Sequence, residues 1–307
     1  MIQLNGHDLT FETYPNGETK VPRLYEYVNT LEGGGLDVTT ENEVFFKWRE
    51  DADLVKLVFV LNYLHVHRLP IHLEIAYMPY SRMDRLEGGP EWELPWATAL
   101  HAAESAINSC VNHYVTGGRI TVWDPHSEAT QIGLGASSVY PAKQMFLKLA
   151  KQVGFNPVLD YIVWPDEGAV KRYGPFDNGL YNAVALTKHR DYDTGRIESI
   201  GLHEDAVLPH FDPNVETRQA IIIDDLCSYG GTFIKAAELL RSMGFTKIYL
   251  LVTHLELNAF NYKLFEAVDG IWGSDSLVDQ GTGTCDPEMR ESIVYIYTKE
   301  EWQSESV

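Results

Sequence analysis

The chain has 307 residues, 45% of them hydrophobic and 22% charged, which suits one large or two ordinary domains and excludes a stapled miniprotein, a coiled coil and a disordered chain. Lys and Arg number 24 against 44 Asp and Glu, and the net charge of −20 repels polyanions, so nucleic acid is excluded as a partner. Three cysteines, Cys110, Cys227 and Cys285, form neither a CxxC pair nor an even framework, and free thiols in a reducing compartment are expected.

In chain order, the first strong signal is Asp51–Leu69, where Leu54, Leu57, Val58, Val60, Leu61 and Leu64 recur at three and four residues and predict a helix that stops at Pro70. His72–Met78 then reads as a short strand opening into a polar loop at Tyr80. Trp96–Val111 predicts a second helix, and Arg119–Trp123 a strand opening into Asp124–Glu128. The same grammar restarts with a helix at Gln144–Val153, strands at Tyr161–Trp164, Tyr181–Leu186 and Ala220–Ile223, a helix at Thr232–Met243 ended by Gly244, and a strand at Ile248–Thr253. Short aliphatic strands alternating with helices imply an α/β fold with mainly parallel sheets and ligands at the strands' carboxyl ends. The expected division is a domain over 1–140 and a second over 141–307. Met1–Thr10 carries Asn, His and Asp, and no uncharged apolar run reaches about 18 residues, so a cytoplasmic protein without a membrane partner is expected.

The richest motif runs from Ile221 to Thr232: a buried strand, the carboxylates Asp224 and Asp225, then Ser228-Tyr229-Gly230-Gly231-Thr232 and a helix start. Such a turn offers backbone N–H groups and a positive helix end to a phosphate, while the two acids suit vicinal sugar hydroxyls. The bland alternative is a polar strand-to-helix loop with a capping Thr.

This stretch resembles the phosphoribosyl-diphosphate motif of type I phosphoribosyltransferase folds, and five further motifs resemble those of ribose-phosphate diphosphokinases in that family's order. Tyr14-Pro15-Asn16-Gly17-Glu18 is similar to the segment that contacts ATP across a subunit interface, and Pro79-Tyr80-Ser81-Arg82-Met83-Asp84-Arg85 to an arginine-bearing ATP loop. Asp124-Pro125-His126 is similar to a segment whose histidine approaches ATP and metal, and Pro165-Asp166-Glu167-Gly168 to a metal-binding turn. Lys188-His189-Arg190, placed after a strand, is similar to the catalytic loop that folds over the transferring diphosphate.

The resemblance implies two tandem phosphoribosyltransferase-like domains, with Mg²⁺ as cofactor and a homo-oligomer with a shared active site. It implies catalytic roles for Lys188 and Arg190, and ATP contacts from Tyr14, Asn16, Glu18, Arg82, Asp84, Arg85 and His126. Sugar-phosphate contacts fall to Asp224, Asp225, Ser228, Tyr229, Gly230, Gly231 and Thr232, and metal contacts to His126 and Asp166. Its activity would move the β,γ-diphosphate of ATP to ribose 5-phosphate. The departures are Ser228-Tyr229, where the family usually has an acid and a threonine, and Met83, where it has a glutamine. The first makes ADP-ribose an alternative acceptor, as in phage-type relatives of NAD salvage. A phosphoribosyltransferase and a catalytically silent regulatory subunit are the other readings.

Among features outside these motifs, His65 and His67 are two apart on a helix and do not share a face, which argues against a zinc site with His72. Gly281–Thr284 lacks the Lys-Ser/Thr of a phosphate loop and reads as a turn.

Overall fold

The computed structural model describes all residues except 85–97, 112–116, 178, 191–196, 204–217, 280–293 and 305–307. The chain divides into two compact units, Met1–Val139 and Tyr140–Val307.

The first unit contains β1 (Ile2–Leu4), β2 (His7–Asp8), β3 (Glu12–Thr13), β4 (Thr19–Lys20), β5 (Asn42–Phe46), α1 (Asp51–Val66), β6 (Ile71–Ile75), α2 (Ala99–Asn108), β7 (Arg119–Trp123), α3 (Glu128–Leu134) and β8 (Ser137–Val139). Its main sheet runs β2-β1-β5-β6-β7-β8, with β5 through β8 parallel and β1 antiparallel to both neighbours. The spacing read in the sequence puts Leu57, Val60, Leu61 and Leu64 of α1 in the core, where they meet Leu73 and Ile75 of β6 and Ile120 and Val122 of β7. β3 and β4 form a separate two-stranded hairpin. β1 and β5 were not foreseen, because neither is aliphatic throughout and each relies on its partner, Ile2 facing Phe46 and Leu4 facing Val44.

The second unit contains α4 (Pro141–Val153), β9 (Tyr161–Trp164), α5 (Glu167–Asp177), β10 (Asn182–Arg190), β11 (Ile197–Leu202), β12 (Gln219–Cys227), α6 (Gly231–Ser242), β13 (Lys247–Leu255), α7 (Tyr262–Ala267), β14 (Gly270–Ser274), β15 (Val294–Tyr297) and α8 (Lys299–Gln303). Its sheet order is β11-β10-β9-β12-β13-β14-β15, parallel except for β10 against β11. Ile221, Ile222 and Ile223 of β12 have no exposed surface, as expected of a central strand covered on both faces. The α/β class with mainly parallel sheets is therefore as the sequence implied.

Two boundaries depart from expectation. β12 continues through Asp224 and Asp225 to Cys227, because β13 pairs with it as far as Leu255. β10 likewise extends to Arg190 because antiparallel β11 pairs with it, Lys188 lying opposite Ile200, so Lys188 and Arg190 sit on a strand and not in a loop after one. Cys110 and Cys227 are buried free thiols, and Cys285 and Gly281–Thr284 lie outside the described residues. Among the described residues no helix is long and apolar enough to cross a membrane.

Candidate active site

In the second unit the chain leaves β9 toward β10 on one side and later returns through β12 on the other, so the strand order reverses at the β9/β12 gap. Such a reversal opens a crevice at the carboxyl ends, where open α/β sheets bind ligands. Asp166 follows β9, Lys188 is carried by neighbouring β10, and Asp224 and Asp225 lie near the carboxyl end of β12. The topology thus gathers residues that the sequence scatters across three motifs.

Lys188 Nζ donates to Asp166 Oδ2 at 2.6 Å, while Asp166 Oδ1 accepts from the Ala169 amide at 2.9 Å in the first turn of α5. Burial raises the Asp166 pKa, but the Lys188 charge and these hydrogen bonds outweigh it and hold the carboxyl below its ordinary value. Asp224 and Asp225 are both buried, and the Asp225 amide donates to Asp224 Oδ1 at 3.0 Å. Burial first, then the charges of Asp225 and Asp166, push the Asp224 carboxyl well above the usual range.

The sequence reading missed Arg172. It lies on α5, and its Nη1 is 3.0 Å from Asp225 Oδ1 and 3.9 Å from Asp224 Oδ1. Three carboxylates brought together need more positive charge than Lys188 alone supplies, but only the fold brings them together, so no local signal marked Arg172.

Beyond the acids, Gly230 has φ +76°, and a Cβ there would lie 2.9 Å from the Leu264 methyl groups, so both backbone and space require glycine. Gly230 is also the N-cap of α6, whose start carries no side-chain cap; Thr232 lies inside the helix and does not cap it. The first-turn amides therefore remain available to an anion. Tyr229 is 69% exposed, whereas Phe233 in the first turn of the helix is buried. The Tyr229 carbonyl accepts from Asn261 Nδ2 at 3.2 Å, which ties the loop to the start of α7. Cys227 below it is no nucleophile, since burial, then Asp224 and Glu256, push its thiol pKa up.

In the first unit, the loops after β6 and β7 leave adjacent parallel strands at one end of the sheet. They carry Arg82 and Asp84, and half-buried His126, respectively. The first loop is pinned by the Tyr80 hydroxyl, which donates to Asp51 Oδ1 at 2.6 Å; Arg85 lies outside the described residues. Tyr14, Asn16 and Glu18 share the tip of the β3–β4 hairpin, where Asn16 Nδ2 donates to Glu18 Oε2 at 2.8 Å and Tyr14 is 49% exposed. Arg190 ends β10.

Among the described residues no three His, Cys, Asp or Glu side chains form a ready metal cage. That does not disfavour Mg²⁺, which keeps several waters and is usually held by one or two carboxylates together with substrate phosphates. The dense, buried carboxylates Asp224 and Asp225, with Asp166 near them, fit that donor set.

Comparison with known proteins gives the same direction. The phosphoribosyl synthetase-associated domain model matches residues 210–270, from before β12 to the start of β14. The ribose-phosphate pyrophosphokinase of Thermococcus kodakarensis is 26% identical over 254 residues, which is 80% of this chain and 77% of that protein. That of Pyrococcus abyssi is 26% identical over 252 residues, 80% and 76% of the two chains. The crystal structure of phosphoribosylpyrophosphate synthetase from Mycobacterium smegmatis superposes with a TM-score of 0.64 over 95% of this chain and 86% of that one, at 16% identity, which is a likeness of fold. A mainly parallel α/β protein with an acid pair before a glycine turn and helix shares its fold with phosphoribosylpyrophosphate synthetase. Within that fold class, the chain is similar to ribose-phosphate pyrophosphokinases over about four-fifths of its length.

Proposed function

We propose that the protein transfers the β,γ-diphosphate of ATP, with Mg²⁺, to the C1 hydroxyl of ribose 5-phosphate. The C1 oxygen bonds to the β-phosphorus, the bond from that phosphorus to the α,β-bridging oxygen breaks, AMP leaves with that oxygen, and the proton of the C1 hydroxyl passes to solvent. The observation that carries this reading is the gathering of Lys188, Asp166 and the Asp224-Asp225 pair at the β9/β12 strand reversal, next to the uncapped start of α6. The names of the relatives support it at family level.

In this reading Asp224 and Asp225 accept hydrogen bonds from the ribose hydroxyls, and the amides of Ser228 through Thr232 hold the 5-phosphate. Lys188 and Arg190 hold the diphosphate as charge builds on its oxygens, and Asp166 sets where Lys188 points. Asp166 would help to hold Mg²⁺, which when bound would supply charge neutralisation and polarisation of the phosphates. Arg82, Asp84, Arg85 and His126 take the ATP, aided by Tyr14, Asn16 and Glu18 of a neighbouring copy.

A second acceptor, ADP-ribose, has one observation in its favour. Tyr229 stands exposed where a terminal phosphate would otherwise be gripped, and an open aromatic face tolerates a substituted phosphate. Ribose 5-phosphate remains the leading acceptor because the relatives are named for a ribose phosphate. Incubation with Mg-ATP and each acceptor, followed by mass analysis, tests both. Phosphoribosyl diphosphate plus AMP supports the first and ADP-ribose 1-diphosphate plus AMP the second; ATP left intact with either rejects the enzyme.

A further inference from the structure

Arg172 is held too firmly to be an incidental surface ion pair. Its side chain is only 12% exposed, and its guanidinium lies 5.6 Å from the ring centroid of Tyr173. Tyr173 is itself fully buried and stacked on Trp164 at 6.2 Å, so the residue beside Arg172 is locked into the core at the end of β9. From that anchored position one Nη1 reaches both acids, 3.0 Å from Asp225 Oδ1 and 3.9 Å from Asp224 Oδ1. Lys188, a second cation nearby, is engaged with Asp166. The charge of the acid pair is thus answered from within the protein by Arg172.

We propose that Arg172 is a built-in counter-ion that competes with a divalent cation for Asp224 and Asp225. A dication held by these carboxylates would lie close to the guanidinium that is 3.0 Å from Asp225 Oδ1, and the like charges would repel in this buried crevice. The dication therefore gains the pair only when Arg172 gives it up. A guanidinium released from carboxylates is suited to a phosphate, for which its planar fork is an equally good donor. A bare dication is consequently bound weakly, and the pair is metallated when a polyphosphate arrives to take over Arg172. This second consequence rests on the diphosphate-transfer reading above, whereas the competition itself does not. Arg172 acts through the two aspartates and is a positioning residue.

The test uses Mn²⁺ alone as the probe, titrated into the full-length protein without nucleotide or sugar and followed by the loss of the free-ion electron paramagnetic resonance signal. Arg172→Met should bind Mn²⁺ about tenfold more tightly than wild type, the scale of one removed neighbouring charge at short range. Arg172→Lys, which keeps the charge, should stay within about threefold of wild type. Asp225→Asn in the Arg172→Met background should abolish the gain. Unchanged or weaker binding by a natively folded Arg172→Met overturns the proposal, because the guanidinium would then shape the site rather than compete for it. If Arg172→Met does not fold, Arg172→Gln replaces it with the same expected gain; failure of both to fold means the pair cannot part from its cation, which also overturns it. A protein that shows the Mn²⁺ gain but transfers no diphosphate sinks the functional reading and leaves this inference standing, and the converse result does the reverse.

Discussion

Gly230 and Gly231 are adjacent in sequence and unlike in physics. Gly230 is demanded by its left-handed backbone and by Leu264, so Gly230→Ala should cost about 1–2 kcal/mol of stability. Gly231 opens α6 with nothing within 4 Å of where a Cβ would stand, and Gly231→Ala should leave the melting temperature unchanged or slightly raised. If a phosphate rests on this backbone, the same methyl group intrudes on it, and the KM for the sugar phosphate should rise by about tenfold or more. A raised KM in a protein of undiminished stability separates a binding role from a folding one; an unchanged KM removes Gly231 from the phosphate site. Lys188 makes a complementary case. Its ion pair with half-buried Asp166 means that Lys188→Ala removes charge already aimed at the crevice, and kcat should fall by about 100-fold with a much smaller change in ATP affinity. Equal loss in both quantities would assign Lys188 to ground-state binding instead.

At the scale of elements, strands and helices whose patterns are local were legible, and those that depend on distant partners were not. Arg119–Trp123 and Tyr161–Trp164 are strands at their expected residues, because aliphatic runs between turn signals leave little alternative. β10 overran its expected end because its last residues are polar and are kept extended by pairing with β11, which no local pattern announces. Arg172 was illegible for the same reason: its meaning lies in acids on another element, whereas its own sequence neighbourhood is an ordinary amphipathic helix. Asp269, just before β14, shows such a long-range device in a structural role. It accepts from Lys247 Nζ at 2.9 Å and the Ile248 amide at 2.9 Å and pairs with Arg241, joining the end of α6 to the start of β13. Burial raises its pKa, but these partners prevail and hold it below the ordinary value of 3.8. A depressed folded pKa contributes stability that is complete above the unfolded pKa and is lost as pH falls through the folded one. Asp269→Asn should therefore cost about 1 kcal/mol near pH 7, and the gap between variant and wild type should close below about pH 4 in denaturant titrations. A gap that persists at pH 2–3 would show that the loss comes from packing rather than charge.

For the whole molecule, the open matter is how many copies build one site. The β3–β4 hairpin is a sheet apart from the main one, and the contacts of its tip are spent internally, Tyr14 N on Glu18 O and Asn16 on Glu18. An exposed tip with Tyr14, Asn16 and Glu18 on it suits a segment presented to another molecule, as the proposed shared site requires. Active-site complementation tests this without any assumption about oligomer size. A Tyr14→Ala/Glu18→Ala variant and a Lys188→Ala variant should each be nearly inactive alone. If one copy lends the hairpin to the crevice of the next, unfolding and refolding the two together at equal concentration should regenerate some wild-type sites, about a quarter of the total for random mixing with one donor and one acceptor per site. The regenerated fraction should follow the product of the two variants' mole fractions, peaking at equal mixing, because each restored site needs one intact half from each. Activity that stays at the sum of the two residual values at every mixing ratio, with mixed oligomers verified by mass, would place hairpin and crevice in the same copy. The acid balance of the chain bears on the same experiment: at −20 per copy, association is opposed by like charge at low ionic strength, so oligomers should strengthen as salt rises toward physiological levels.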